Sequence, residues 1–301
     1  MTQTHNKNNF LIGLCLALTT VIIWSGNYVV AKGISKEIPP ISLAFYRWAT
    51  ASICIIPLAW KKFREDKAVL LQHKQYLFWV SITGIVIFNS FIYLAGHHTS
   101  AINLALIGTT AAPVFATVMA GIFLKERISP LRITGMVVCF AGVLFLLSQG
   151  SWQKLMHFHF SKGDILILIS AFSFAIYNTL VKKKPDTISS MSFLMVTFIA
   201  GTMMLLPFFI METTNSPAIN WTTANLSIIA YLGIGNSVIG FLCWNAAVGK
   251  IGASRTVIFA NLIPILSTVE AVILLGENFS TTHLVAGIII IFGLIIANFR
   301  R

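Results

Sequence analysis

PILSTVEAVILLGE occupies residues 264–277, and PVFATVMAGIFLKE occupies residues 113–126. Each opens on a proline, runs through apolar residues and closes on a glutamate thirteen positions later: Pro264 to Glu277, Pro113 to Glu126. The two stretches lie 151 positions apart. The same offset relates Gly142 to Gly293, Gly84 to Gly235 and Tyr93 to Trp244, and an offset of 150 relates Lys32 to Lys182 and Pro57 to Pro207. In both copies a helix is expected to begin near the proline and end at the glutamate. A step to Ser129 or Ser280 then leads into the last apolar segment of each copy. A fixed internal period is read before anything else, because it defines the architecture. The chain is read as two copies of one unit, residues 10–149 and 163–299, joined by a linker at 150–162.

Each unit is built for lipid. Of the 301 residues, 56% are hydrophobic and 10% charged, too little charge to cover a soluble domain of this length. A helix needs about 20 apolar residues to cross the hydrocarbon layer. Ten such segments are predicted, at 10–31, 39–60, 76–96, 100–124, 130–149, 163–181, 189–211, 225–248, 253–275 and 282–299. Strands of a membrane barrel would alternate in polarity over about 10 residues. Segments such as GMVVCFAGVLFLL (135–147) are apolar on every face, so the fold class is all-α.

The net charge of +12 is explained by topology rather than by a nucleic-acid partner. With the N-terminus placed in the cytoplasm, sixteen of the 21 Lys and Arg fall in inner segments and four in outer ones, leaving Arg47 within the second span. The positive-inside rule then puts both termini in the cytoplasm. Five spans per unit is an odd number, so the second copy enters the membrane from the opposite side. Two inverted five-helix repeats can exchange an outward-open for an inward-open state of similar energy, the architecture of secondary transporters. The expected location is the cytoplasmic (inner) membrane. The first span lacks a cleavage pattern and is not read as a signal peptide.

Ten spans in a 5+5 repeat, the paired proline-to-glutamate endings, FYRW (45–48) and IWSGNYVVAK (23–32) together resemble the drug/metabolite transporter superfamily, and most closely its EamA-type members. The resemblance covers nearly the whole chain. It implies a ten-helix inner-membrane carrier of small metabolites with a central cavity between the halves.

Ionisable residues at membrane depth are costly and mark function by default. Glu270 is the foremost case, because its counterpart in the first copy is Met119 and the repeat does not demand an acid there. An acid at a helix centre costs about 2.5–3.5 kcal/mol, which the twelve Val, Ile, Leu and Phe of 253–275 offset at roughly 0.3–0.6 kcal/mol each. Three roles are open to Glu270: a proton or cation coupling site, a counter-charge for a cationic or zwitterionic substrate, and a structural partner for Arg47. Arg47 is itself either structural or a clamp for a substrate carboxylate. Glu126 and Glu277, at span ends, are read as solvated or capping groups.

Trp24, Tyr28 and Lys32 recur every four residues, with Asn27 alongside, and Asn89, Tyr93 and His97 repeat the pattern. Tyr177 and Asn178 fall near the position of Asn27 and Tyr28 in the second copy, and Ser237, Gly240 and Trp244 share one face. Residues so spaced share a helix face. Trp24, Asn27, Tyr28, Asn89, Tyr93, Tyr177, Asn178, Trp244 and Arg47 are therefore the predicted substrate-binding set; such groups alternatively serve helix–helix hydrogen bonding.

No cofactor or metal is called for. Cys15, Cys54, Cys139 and Cys243 lack ligand spacing, and His97, His98, His157 and His159 have no accompanying acid pattern. The chain has no nucleotide-binding G-x-x-x-x-G-K-[ST], no H-E-x-x-H and no G-x-S-x-G, so an ATP-driven pump is excluded and nothing supports an enzyme. The partners expected are a small-molecule substrate and the lipid bilayer, with no nucleic acid, and a monomer suffices. Export or exchange of amino acids or related amphipathic solutes by alternating access is the leading reading; the alternatives are a channel-like facilitator and, behind it, an intramembrane enzyme.

Overall fold

A computed structural model of the protein describes residues 2–123, 125, 129–151, 153, 156 and 161–298. Among the described residues there is no strand, and ten helical spans follow one another. They are α1 (Thr2–Gly33), α2 (Pro40–Gln72), α3 (Lys74–Gly96), α4 (Ala101–Phe123), α5 (Pro130–Leu147), α6 (Lys162–Lys182), α7 (Ser190–Asn215), α8 (Thr223–Ile251), α9 and α10 (Thr281–Asn298). α9 is made of two pieces, Ala253–Ala260 and Ile263–Leu275. Large apolar side chains such as Ile53, Val137, Ile210 and Ile273 are more than half exposed, as lipid-facing positions should be.

Local chemistry sets the boundaries. Pro40 and Pro130 stand in the first turns of α2 and α5, where a missing N–H costs nothing. Ser129, Ser189 and Thr222 each accept a backbone N–H three residues on, and Ser161 and Asp164 form a reciprocal capping box at the start of α6. α2 runs twelve residues past its predicted end, because no helix breaker precedes His73. Its extension carries Lys62 and Glu65 as an i,i+3 ion pair, and Asp66, whose carboxylate accepts the Ser189 N–H at the start of α7.

The two proline-to-glutamate stretches differ in a way the sequence hides. Pro264 begins a new helical piece after a break at Asn261–Leu262, as expected, but Pro113 lies inside a continuous α4. At the break, Asn261 and Leu262 donate to carbonyls three residues back, tightening the turn. The ends of the stretches agree: Lys125 (φ 53°) and Gly276 (φ 64°), 151 apart, both take the left-handed conformation that terminates a helix. Glu126 itself lies outside the described residues, as do His157 and His159.

Two further features were not predicted. The middles of α3 and α8 open into wide π-helical turns, Ile82–Ile87 and Tyr231–Ile239. Such turns leave carbonyls unpaired and recur at functional sites.

Residues one period apart also meet in space. Ser52 on α2 hydrogen-bonds Thr202 on α7 at 3.0 Å, 150 positions away. Cys139 Sγ on α5 donates to the Ile290 carbonyl on α10, 151 positions away. Here α5 and α10 touch backbone to backbone: a Cβ on Gly135 would lie 2.6 Å from the Gly293 carbonyl, and one on Gly293 2.8 Å from the Gly135 carbonyl. Only small residues permit such an approach, which is how helices gain contact in lipid.

The end of the bundle opposite the termini is closed. A Cβ on Gly96 at the end of α3 would lie 2.0 Å from the Ala31 carbonyl of α1, and one on Gly33 would meet Leu275 of α9 at 3.0 Å. Two carboxylates tie helices together at this end. Glu212 on α7 accepts from the Ile41 and Ser42 N–H groups and the Ser42 hydroxyl at the start of α2. Glu277, set just past the left-handed Gly276, accepts from Ala101 N at 2.7 Å and Ile102 N at 3.1 Å at the start of α4. A carboxylate on a helix N-terminus satisfies orphan donors and opposes the helix dipole. The terminal end has contacts of its own: a Cβ on Gly13 of α1 would lie 2.5 Å from Ile251 at the end of α8, and Lys250 Nζ donates to Asn9 Oδ1.

Candidate functional site

Arg47 lies at the centre of a polar knot where four helices cross. Its Nε donates to Ser237 Oγ at 2.9 Å, its Nη1 to Asn27 Oδ1 at 2.7 Å and to the Tyr93 hydroxyl at 2.8 Å, and its Nη2 to Asn236 Oδ1 at 2.7 Å. Tyr93 in turn donates to Asn27 Oδ1, and the guanidinium lies 4.9 Å over the Trp48 ring. Arg47 is 3% exposed and Tyr93 1%. The knot draws on α1 (Asn27), α2 (Arg47), α3 (Tyr93) and α8 (Asn236, Ser237), so it joins the two halves of the chain.

The wide turns place these groups. In α8, Ser237 donates to the Leu232 carbonyl five residues back while accepting from Arg47. Asn236 donates to the Ile23 carbonyl of α1, which also accepts from Tyr231. In α3, Asn89 turns its amide onto the Gly84 and Ile85 carbonyls that the wide turn frees. Asn89 is 0% exposed, so it braces the backbone and offers no face to a ligand in this conformation.

Glu270 is not the partner of Arg47. No ion pair is formed between them, whereas Lys62 and Glu65 on the extension of α2 do pair, at 2.7 Å. Glu270 instead meets Ser25 of α1, with Oε1 2.5 Å from the hydroxyl, and one turn earlier on α9 Ser267 donates to the Ser25 carbonyl. Tyr231 lies near the acid: a Cβ on Gly26 of α1 would lie 2.2 Å from the Tyr231 hydroxyl and 3.5 Å from Glu270 Oε2.

The remaining predicted residues form two aromatic clusters. Trp24 packs on Trp244 at 5.1 Å and on Phe241 at 5.5 Å between ring centres, and its Nε1 donates to the Asn236 carbonyl. On the other side Tyr177 stacks with Phe174 and covers Gly84, where a Cβ would lie 2.2 Å from the ring. Tyr28 borders Gly108 of α4, and Asn178 follows Tyr177, half-buried.

The structure therefore separates the predicted set. Asn27, Arg47 and Tyr93 come together but face one another; Trp24, Tyr28, Tyr177, Asn178 and Trp244 stay partly exposed. Asn236, Ser25, Ser267 and Tyr231 escaped the sequence reading. The one available signal was Asn236 beside Ser237 in an otherwise apolar run. At the membrane surface, burial holds the His97 imidazole below its usual range, helped by the positive charges of His98 and Lys32.

Comparison with known proteins agrees with this architecture. Residues 11–148 and 161–299 each match the EamA-like transporter family. The protein belongs to that family: it is a multi-pass membrane transporter, not an enzyme. It is 27% identical to an uncharacterized transporter of Archaeoglobus fulgidus, over 99% of both chains. It is 24% identical to a protein of Salmonella typhimurium named "Probable amino-acid metabolite efflux pump", over 93% of both chains. A "Probable terminal-alkyne amino-acid exporter" of Streptantibioticus cattleyicolor shares 28% identity over 63% of this chain and 61% of its own. A solved crystal structure superposes with a TM-score of 0.65 at 19% identity, covering 97% of this chain and 96% of that one, and so shares the fold.

Proposed function

We propose that the protein is a secondary carrier of the cytoplasmic membrane that exports or exchanges small amphipathic metabolites, amino acids first among them, by alternating access. The observation that carries this reading is the joining of the two halves through one buried polar centre, with a tied end beyond it. α1, α3, α4 and α9 are tied at the end opposite the termini, while the Arg47 knot joins the halves deeper in. A carrier needs such a pivot, and a seal that can be released.

The inverted 5+5 repeat is part of the proposal. Contacts between residues 150 or 151 apart, at Ser52–Thr202 and Cys139–Ile290, are what a two-fold axis in the membrane plane produces. Trp24, Tyr28, Tyr177, Asn178 and Trp244 are the proposed lining, because they pair aromatic surface with a few polar groups, the usual make-up of a small-molecule site. The relatives named for amino-acid export support the substrate class.

Cells overproducing the protein are expected to accumulate a narrow set of amino acids or close derivatives in the medium, several-fold above an empty-vector control. Metabolite profiling of the medium checks this. An unchanged medium, with the protein shown to be in the membrane, would count against export.

A further inference from the structure

Ser25 Oγ lies 2.7 Å from the Ile22 carbonyl and 2.5 Å from Glu270 Oε1. A serine hydroxyl carries one hydrogen, a peptide carbonyl none. If Ser25 gives its hydrogen to Ile22, the Glu270 contact is a hydrogen bond only when Glu270 supplies the proton. If Ser25 gives it to Glu270, two bare oxygens face each other at 2.7 Å. Protonated Glu270 is the state in which both contacts are full two-centre hydrogen bonds; an ionised Glu270 leaves one Ser25 hydrogen shared between two acceptors.

The second oxygen points the same way. Glu270 Oε2 is sealed from solvent and has no hydrogen-bond partner. A neutral acid tolerates this far better than an ionised carboxylate, whose charge would sit dry and unpaired. Among the described residues, no neighbouring helix offsets such a charge. From α8 the titratable group beside it is Tyr231, whose hydroxyl is committed to the Ile23 carbonyl; Arg47 of α2 is engaged by four neutral acceptors. α4, packed on another side of α9, has no titratable residue from Ala101 to Phe123. On α1, Ser25 and Gly26 are the residues that face the acid.

The position matters because α1 and α9 belong to opposite halves. The Ser25–Glu270 and Ser267–Ser25 bonds, with the Gly33–Leu275 contact beyond them, fasten α1 to α9.

We propose that Glu270 is a proton-binding site that fastens the halves together. With the proton bound, Glu270 donates to Ser25 and the end opposite the termini stays closed. When the proton leaves for water, the ionised carboxylate needs hydration that its sealed, unpartnered Oε2 does not get in the closed contact, and α1 parts from α9. The link to flux rests on the carrier reading above; the proton itself is read without reference to any substrate.

Two measurements on the full chain in lipid nanodiscs decide this. Infrared difference spectra across a pH series should show a protonated-carboxyl C=O band at neutral pH that is lost on alkalinisation and is missing from Glu270→Gln. Ser25→Ala should shift that band without removing it, which identifies the bond even if Glu270→Gln folds poorly. Spin labels at Lys36 and Phe279, in the loops after α1 and α9, report the closure. In the wild type the closed-to-open ratio should fall by about tenfold per pH unit above the midpoint, the slope of a single proton. Glu270→Gln, which retains a donor to Ser25, should stay closed at every pH.

Absence of the carboxyl band at neutral pH overturns the proton site. A band with pH-independent distances, or the same pH dependence in Glu270→Gln, overturns its role in closure. Export without the band leaves the carrier reading standing; the band without export does the reverse.

Discussion

Arg47→Ala is expected to lower stability by about 3–5 kcal/mol, the usual consequence of deleting one partner from a buried charged network. The Tyr93 hydroxyl, Asn236 Oδ1 and Ser237 Oγ would lose the Arg47 donor, and Asn27 Oδ1 would keep only the bond from Tyr93. Each polar group stranded in a dry interior costs about 1–3 kcal/mol, and the missing side chain leaves a void beside Trp48. Some of this loss is recovered, because a buried guanidinium is itself expensive to desolvate. Arg47→Lys should be only partly better. An ammonium keeps the charge but cannot present the planar fork that meets acceptors on α1, α3 and α8 at once. Thermal unfolding in detergent checks both variants. An Arg47→Ala protein as stable as wild type would mean that the knot is not a structural centre.

Glu277→Ala should act on the conformational balance rather than on the fold. The carboxylate spans from the end of α9 to the N-terminus of α4 and accepts two backbone N–H bonds there. Hydrogen bonds to a charged group contribute about 1.5–3 kcal/mol. Because Glu277 is half-buried and water partly replaces it, the lower end applies. That is roughly a tenfold shift toward separation of α4 from α9. Spin labels at His98 and Phe279 should show a longer-distance population in the variant, with a smaller change for Glu277→Gln. Unchanged distances in both variants would show that other contacts carry the seal.

Much of the fold was legible because lipid imposes a simple rule. Every span must satisfy its own backbone, so ten long apolar segments translate directly into ten helices. The period of about 151 residues was legible for a related reason, since equivalent turns need equivalent residues, as at Lys125 and Gly276. The extension of α2 past residue 60 was missed because its charges read as a loop, whereas nothing in that stretch breaks a helix. The wide turns in α3 and α8 were missed because they change hydrogen-bond register without changing composition.

The site was legible as faces and not as partners. Spacing put Asn27, Tyr93 and Arg47 on inward faces, but a face does not say what lies opposite. Whether Arg47 meets Glu270, a substrate carboxylate or a set of amides depends on how helices cross. The crossing places Asn236 and Ser237 against the guanidinium and leaves Ser25 to the acid. Asn89 illustrates the same limit: it lies on the stripe with Tyr93, yet its amide serves a wide turn that no periodicity announces.

The most direct test of alternating access is counterflow in proteoliposomes, using an amino acid identified by profiling. A carrier must return through the same site, so labelled substrate outside should enter faster when unlabelled substrate is trapped inside, and the rate should saturate. Flux that rises linearly with concentration and ignores the trapped substrate would contradict the account and identify a channel-like pathway.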